Sequence, residues 1–210
     1  MAPLIKICGL TRAEDVSAAR AAGADWLGFI VEAPSSRRVS VANAAALIDG
    51  LEGVTVAVTV NPDDALLDAV VAAGFTHIQL HGDEPMPRVA EVGVRTGLTV
   101  IKAVPVATRD DIKLATEYSG AADWLLLDAK APVGETQRGG HGLSFDWDML
   151  RGAPLPRRWG LAGGLTPGNV GGALSRVRPA LLDTSSGVEV SPGVKDAALM
   201  REFVGSVQSS

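Results

Sequence analysis

Cysteine occurs once in the 210 residues, at position 8, and histidine three times, at 77, 81 and 141. A single thiol cannot close an internal disulfide, and with no CxxC or HExxH spacing no metal site is expected. No run of Lys or Arg appears and the formal charge is -5, so the chain carries no basic footprint for nucleic acid. Its apolar stretches are short and interrupted, too short for a membrane span. Met1 leads within a few residues into an apolar segment containing Lys6, so no secretory leader is expected and the cytoplasm is the expected compartment. What is present is 47% hydrophobic residues, enough for one sizeable core, and the expectation is one domain over residues 1–210.

Strand-length apolar runs alternate with segments of helical period. The strands read as Leu4 to Ile7, Trp26 to Val31, Val54 to Val60, His77 to Leu80, Thr99 to Ala103, Trp124 to Leu127, Trp159 to Ala162 and Ala180 to Asp183. Each is nearly all apolar, as strands buried on both faces are. Helix-start signals stand between them: Thr11 before Ala13-Glu14-Asp15, Ser40 before an Ala-rich run, Asn61-Pro62-Asp63-Asp64, and Thr166-Pro167. Eight such units predict an α/β fold, a (β/α)8 TIM barrel of eight parallel strands.

An internal echo supports the barrel. IK at 5 recurs at 101, TRAED at 11 as TRDD at 108, and GADWLGF at 23 as GAADWLLLD at 120, while Pro62 maps to Pro167 and Gly82 to Gly187. The offsets grow from 96 to 105, which places extra residues near a long Gly-rich loop from Asp128 to Leu143.

In such a barrel the chemistry sits where strands exit into βα loops. Gly163-Gly164 and Ser185-Ser186-Gly187 follow strands seven and eight, the place where backbone N–H groups commonly bind phosphate, so a small phosphorylated substrate is expected. Cys8 exits strand one and is either buried filler or a thiol used as a base. Asp128 exits the apolar run WLLLD and is either a loop cap or a carboxyl kept protonated as an acid. Arg37 and Arg38 follow strand two and offer a fork for a carboxylate. Asp183 suits a substrate hydroxyl, support of the cysteine or a cap, and His81 is a second polar contact or an ordinary loop histidine.

Seven segments carry a family resemblance: ICGLT at 7–11, GADWLGF at 23–29, SRRVS at 36–40, QLHGDE at 79–84, FDW at 145–147, AGGLTPGNV at 162–170 and DTSSGVEVSPGVKD at 183–196. In this order, from end to end, the chain resembles the phosphoribosylanthranilate isomerase family of tryptophan biosynthesis. The resemblance implies a cofactor-free Amadori rearrangement of N-(5'-phosphoribosyl)anthranilate to 1-(o-carboxyphenylamino)-1-deoxyribulose 5-phosphate. It implies Cys8 as general base at C2' and Asp128 as the acid that protonates the ring oxygen. Arg38, taken as the arginine of SxRxV, would face the anthranilate carboxylate, with Gly163, Gly164, Ser186 and Gly187 around the phosphate. Asp183 would orient the substrate or the base, and His81 is a further substrate contact.

The chain departs from the family pattern in a longer stretch before FDW and in GGHG at 139–142, where His141 replaces Ser or Thr. The histidine-pathway isomerase of phosphoribosylformimino aminoimidazole carboxamide ribotide is a rival, but it uses an aspartate where Cys8 stands. A non-catalytic phosphosugar-binding barrel is the other rival, and the Cys8 and Asp128 pair speaks against it. The assembly expected is a monomer or a homodimer.

Overall fold

A computed structural model describes residues 2–129 and 146–210. Eight parallel strands close on themselves: Leu4–Ile7, Trp26–Val31, Val54–Thr59, His77–Leu80, Thr99–Val106, Trp124–Ala129, Trp159–Ala162 and Leu181–Thr184. Each pairs with the next, and the first pairs with the eighth through Lys6 and Asp183 and with the second through Lys6 and Trp26. Strands three and eight end or begin one residue from the sequence expectation, and strands five and six run on by three and two residues.

The helices α1 (Ala13–Ala22), α2 (Val41–Ile48), α3 (Asp64–Ala72), α4 (Met86–Thr96), α5 (Arg109–Glu117), α6 (Val170–Leu174) and α7 (Ala197–Gln208) are among the described elements. Ser40 caps α2 by accepting from the Asn43 N–H, and Asp63 caps α3 from Leu66. Two expected caps move. Arg12 stands at the start of α1 without a side-chain cap bond, because the Thr11 hydroxyl donates instead to the Gly193 carbonyl at 3.0 Å. Asn169, not Thr166, begins α6, and its side chain folds back on the Thr166 N–H. Between strands six and seven the described residues hold one 3-10 turn, Trp147–Leu150. The long loop and His141 lie outside the described residues.

Two packed layers result. The large cluster lies between strands and helices, where Ile7, Phe29, Leu80, Leu127 and Leu161 meet Val16, Leu67, Val89, Ile112 and Phe203. The smaller cluster fills the lumen with Cys8, Trp26, Val56, Val58, Ile101, Ala103, Leu126, Ala162 and Leu181. Successive side chains on a strand face opposite sides, so the lumen takes every second residue. At the N-terminal end Trp26, His77 and Trp124, each the first residue of its strand, form an aromatic plug with Trp26 centred 4.9 Å from His77 and 5.0 Å from Trp124. The same alternation, carried two or four residues further, presents Gln79, His81, Cys8 and Asp128 at the opposite, loop-bearing end.

Candidate active site

Cys8 follows the first strand, its N–H donating to the Thr184 carbonyl at 2.9 Å. Its neighbour Lys6 is fully buried inside the barrel. An ammonium there needs partners, and it has them: Nζ lies 2.9 Å from Asp183 Oδ2 and 2.9 Å from Gln79 Oε1. Burial pushes the Asp183 carboxyl up, and opposes the ammonium too, but Asp183, joined by Cys8 once ionised, outweighs this and holds Lys6 up. A buried ammonium at this distance requires the carboxylate opposite, so the pair is ionic. Asp183 Oδ1 is buried with no hydrogen-bond partner among the described residues. It is an acceptor aimed at nothing the described chain supplies.

Burial likewise pushes the Cys8 thiol up. Lys6 and, more weakly, Lys195 pull it back, while Asp183 raises it further. The thiol is thus the resting form, with two cations placed to favour its ionisation.

Asp128 leaves strand six half-buried, and His81 Nε2 lies 3.3 Å from its Oδ2. His81 Nδ1 in turn lies 3.1 Å from Gln79 Nε2, so Asp128 and Lys6 are joined through two side chains. Asp128 also acts through space on the Asp183 carboxyl.

The loop after strand two separates the two arginines. Arg38 pairs with Glu32 and is more than half exposed, on a two-residue strand, Arg38–Val39, beside strand two. Arg37, one residue earlier, points the other way: its Cδ would stand 2.7 Å from a Cβ on Gly9, and an ionised Cys8 would hold its guanidinium up. Arg37, rather than the expected Arg38, is thus the arginine beside Gly9, and Val39 is the buried residue of the two-residue strand. Arg37 donates from Nε and Nη2 to Glu189 at 2.8 and 2.7 Å, and Glu189 also accepts from Lys195 at 2.7 Å.

Gly163 and Gly164 both have positive φ, 93° and 64°. A Cβ on Gly187 would meet the Leu165 carbonyl oxygen at 1.9 Å, and the Thr184 hydroxyl donates to that same oxygen at 2.8 Å. The loops after strands seven and eight are therefore pressed together, with Ser186 exposed at their edge.

A second buried ion pair supports the His81 loop. Lys102 Nζ is 2.6 Å from Glu84 Oε2 and 2.6 Å from the Gly82 carbonyl, while Glu84 accepts from the Asn61 and Gly82 N–H groups. Burial works against it, but Lys102, the Asn61 N–H and Glu84's own N–H hold the Glu84 carboxyl below its usual range. Lys102, Gln79, Glu84, Glu189 and Lys195 carried no individual reading in the sequence; for Lys102 and Gln79, an isolated Lys or Gln inside an apolar strand run is the signal that could have found them. Among the described residues no three His, Cys, Asp or Glu side chains converge to hold a metal ion.

The family model described as N-(5'-phosphoribosyl)anthranilate isomerase matches residues 5–206. The N-(5'-phosphoribosyl)anthranilate isomerase of Paracoccus denitrificans is 49% identical over 207 residues, covering 97% of this chain and 96% of its own. A crystal structure of phosphoribosyl anthranilate isomerase from Thermotoga maritima superimposes with a TM-score of 0.86 at 35% identity, covering 99% of this chain and all of that one. A structure of a phosphoribosyl anthranilate isomerase in complex with reduced 1-(o-carboxyphenylamino)-1-deoxyribulose 5-phosphate gives 0.85 at 32% identity, with 99% and 100% covered.

Proposed function

The chain belongs to the N-(5'-phosphoribosyl)anthranilate isomerase family, and on that premise we propose how its own residues carry the rearrangement. The reaction converts an N-glycoside into an aminoketose. Asp128 donates its proton to the furanose ring oxygen; the C1'–O bond breaks with its electron pair going to oxygen, and the anilino nitrogen lone pair forms the C1'=N bond of a Schiff base. Cys8 as thiolate removes the proton from C2', and those electrons form C1'=C2' and neutralise the nitrogen. The resulting enolamine tautomerises, C1' gaining a proton and the C2' hydroxyl losing one, to give the ketone. Each general acid or base step contributes roughly 100 to 10,000-fold.

The observation that carries this reading is the arrangement around Lys6. Its ammonium neighbours the Cys8 thiol, its partner Asp183 has one orphaned oxygen, and its other partner leads to Asp128. The orphaned Oδ1 suits a substrate hydroxyl. Arg37, in place of Arg38, suits the anthranilate carboxylate through a guanidinium that Glu189 already orients, and the Gly163, Gly164, Ser186 and Gly187 loops suit the phosphate. His81 contacts the acid. The proposal includes one catalytic domain spanning residues 1–210, acting in the cytoplasm as a monomer or homodimer; light scattering settles the last point. No helix of the described residues is long and apolar enough to cross a membrane.

The test follows the loss of phosphoribosylanthranilate fluorescence on adding pure protein. Turnover is expected for the intact chain and near-complete loss for Cys8→Ala and Asp128→Asn. Full activity in both variants would show that the residue roles are wrong; turnover of the histidine-pathway precursor alone would overturn the substrate.

A further inference from the structure

We propose that Gln79 is a positioning residue that fixes the tautomer of His81, so that one oxygen of Asp128 is committed to His81 and the other is left to deliver the proton. The inference rests on the reading of Asp128 as the acid.

The donors and acceptors from Lys6 to Asp128 are each forced. An ammonium can only donate. The Gln79 atom 2.9 Å from Lys6 Nζ must therefore be its carbonyl oxygen, which turns the amide NH2 toward His81. The amide nitrogen can only donate, so His81 Nδ1, 3.1 Å away, must be the bare, accepting nitrogen. In the neutral ring the single proton then sits on Nε2 and points at Asp128 Oδ2, 3.3 Å away.

The source of the polarity is fixed in turn. Lys6 is fully buried and held by Asp183, so it cannot rotate away or exchange its partners with water. Gln79 is 1% exposed, which denies its amide an alternative partner in solvent. The line runs from the cation beside Cys8, through two neutral side chains, to the acid. Its consequence at Asp128 is asymmetry: Oδ2 accepts from His81, Oδ1 carries the transferable proton, and the carboxylate left after transfer keeps a hydrogen bond from Nε2.

The test reads the ring directly. Long-range proton–nitrogen correlation spectra of the full chain at alkaline pH, with the His81 signals assigned by loss in His81→Ala, are expected to show Nε2 protonated and Nδ1 bare. In Gln79→Glu the carboxylate has acceptors only, so the proton is expected on Nδ1. Its kcat is expected to fall about 10 to 100-fold, the range typical when the group orienting a functional histidine is lost, with KM within about twofold. A wild-type ring with its proton on Nδ1, or an unchanged ring pattern in Gln79→Glu, overturns the proposal. The wild-type spectrum needs no variant of Gln79 to fold. The two readings fail separately: an Asp128→Asn enzyme at full turnover with Nε2 protonated sinks the acid, whereas an inactive Asp128→Asn enzyme with Nδ1 protonated sinks the relay.

Discussion

The Cys8 thiol occupies the space where a side chain on Gly28 would stand: a Cβ built there lies 2.9 Å from Cys8 Sγ and 3.0 Å from Lys6 Cε. The glycine of GADWLGF is thus a vacancy in strand two, which the first strand fills with its thiol and its buried cation. Gly28→Ala should leave the barrel folded but displace the thiol by a fraction of an ångström or more. A misplacement of about 1 Å costs on the order of 100-fold in rate, so steady-state kinetics should show kcat falling by roughly that factor with little change in melting temperature. A variant with wild-type kcat would mean that the thiol's position is not critical.

The two adjacent arginines should behave differently. Arg37→Ala removes a charged hydrogen-bonding group beside Gly9 and leaves Glu189 with Lys195 alone, and a loss of about 10 to 100-fold in kcat/KM is expected. Arg38→Ala removes an exposed pair with Glu32 and should stay within about twofold. The reverse order would return the carboxylate contact to Arg38.

Loss of the Lys102 ammonium strands a buried carboxylate. Lys102→Met should destabilise by about 3–5 kcal/mol in urea unfolding, because Glu84 keeps its charge without its cation. Replacing both, as Lys102→Met with Glu84→Leu, should recover part of that stability. If the single variant costs under 1 kcal/mol, the pair is not what secures the loop.

His77 sets a pH signature at the far end of the barrel. Burial against Trp26 holds its ring below the ordinary value, only partly offset by Asp123, so the folded form binds fewer protons than the unfolded chain. Stability should therefore fall as pH drops through about 6.5 and below, and be fully present above that point. Denaturant titrations between pH 5 and 8 on His77→Gln should show a shallower slope than the wild type over that window.

The raised Cys8 thiol also sets the pH profile of its own reactivity. The thiolate fraction grows with pH up to the thiol's own value, so alkylation of Cys8 by iodoacetamide should speed up through the neutral range rather than plateau below it. Lys6→Met takes away a cation that lowers the thiol, and any folded fraction should need still higher pH. An acid-shifted ascending limb in that variant would contradict the role of Lys6.

By itself the sequence determined the alternation of strands and helices, the caps at Ser40 and Asp63, and the exits where Cys8, Asp128 and the glycine loops stand. These are local properties: period two, capping chemistry and strand length act over a few neighbouring residues, and each can be read where it occurs. The tertiary structure alone decided which of Arg37 and Arg38 turns inward, what neutralises Lys6, and how Gln79 joins His81 to the buried cation. Those contacts join residues as far apart as Lys6 and Gln79, 73 positions, or Lys6 and Asp183, 177 positions. They depend on the register in which eight strands close, and no local pattern encodes that register. A buried cation inside an apolar strand hints that a partner exists; only closure of the barrel says which one.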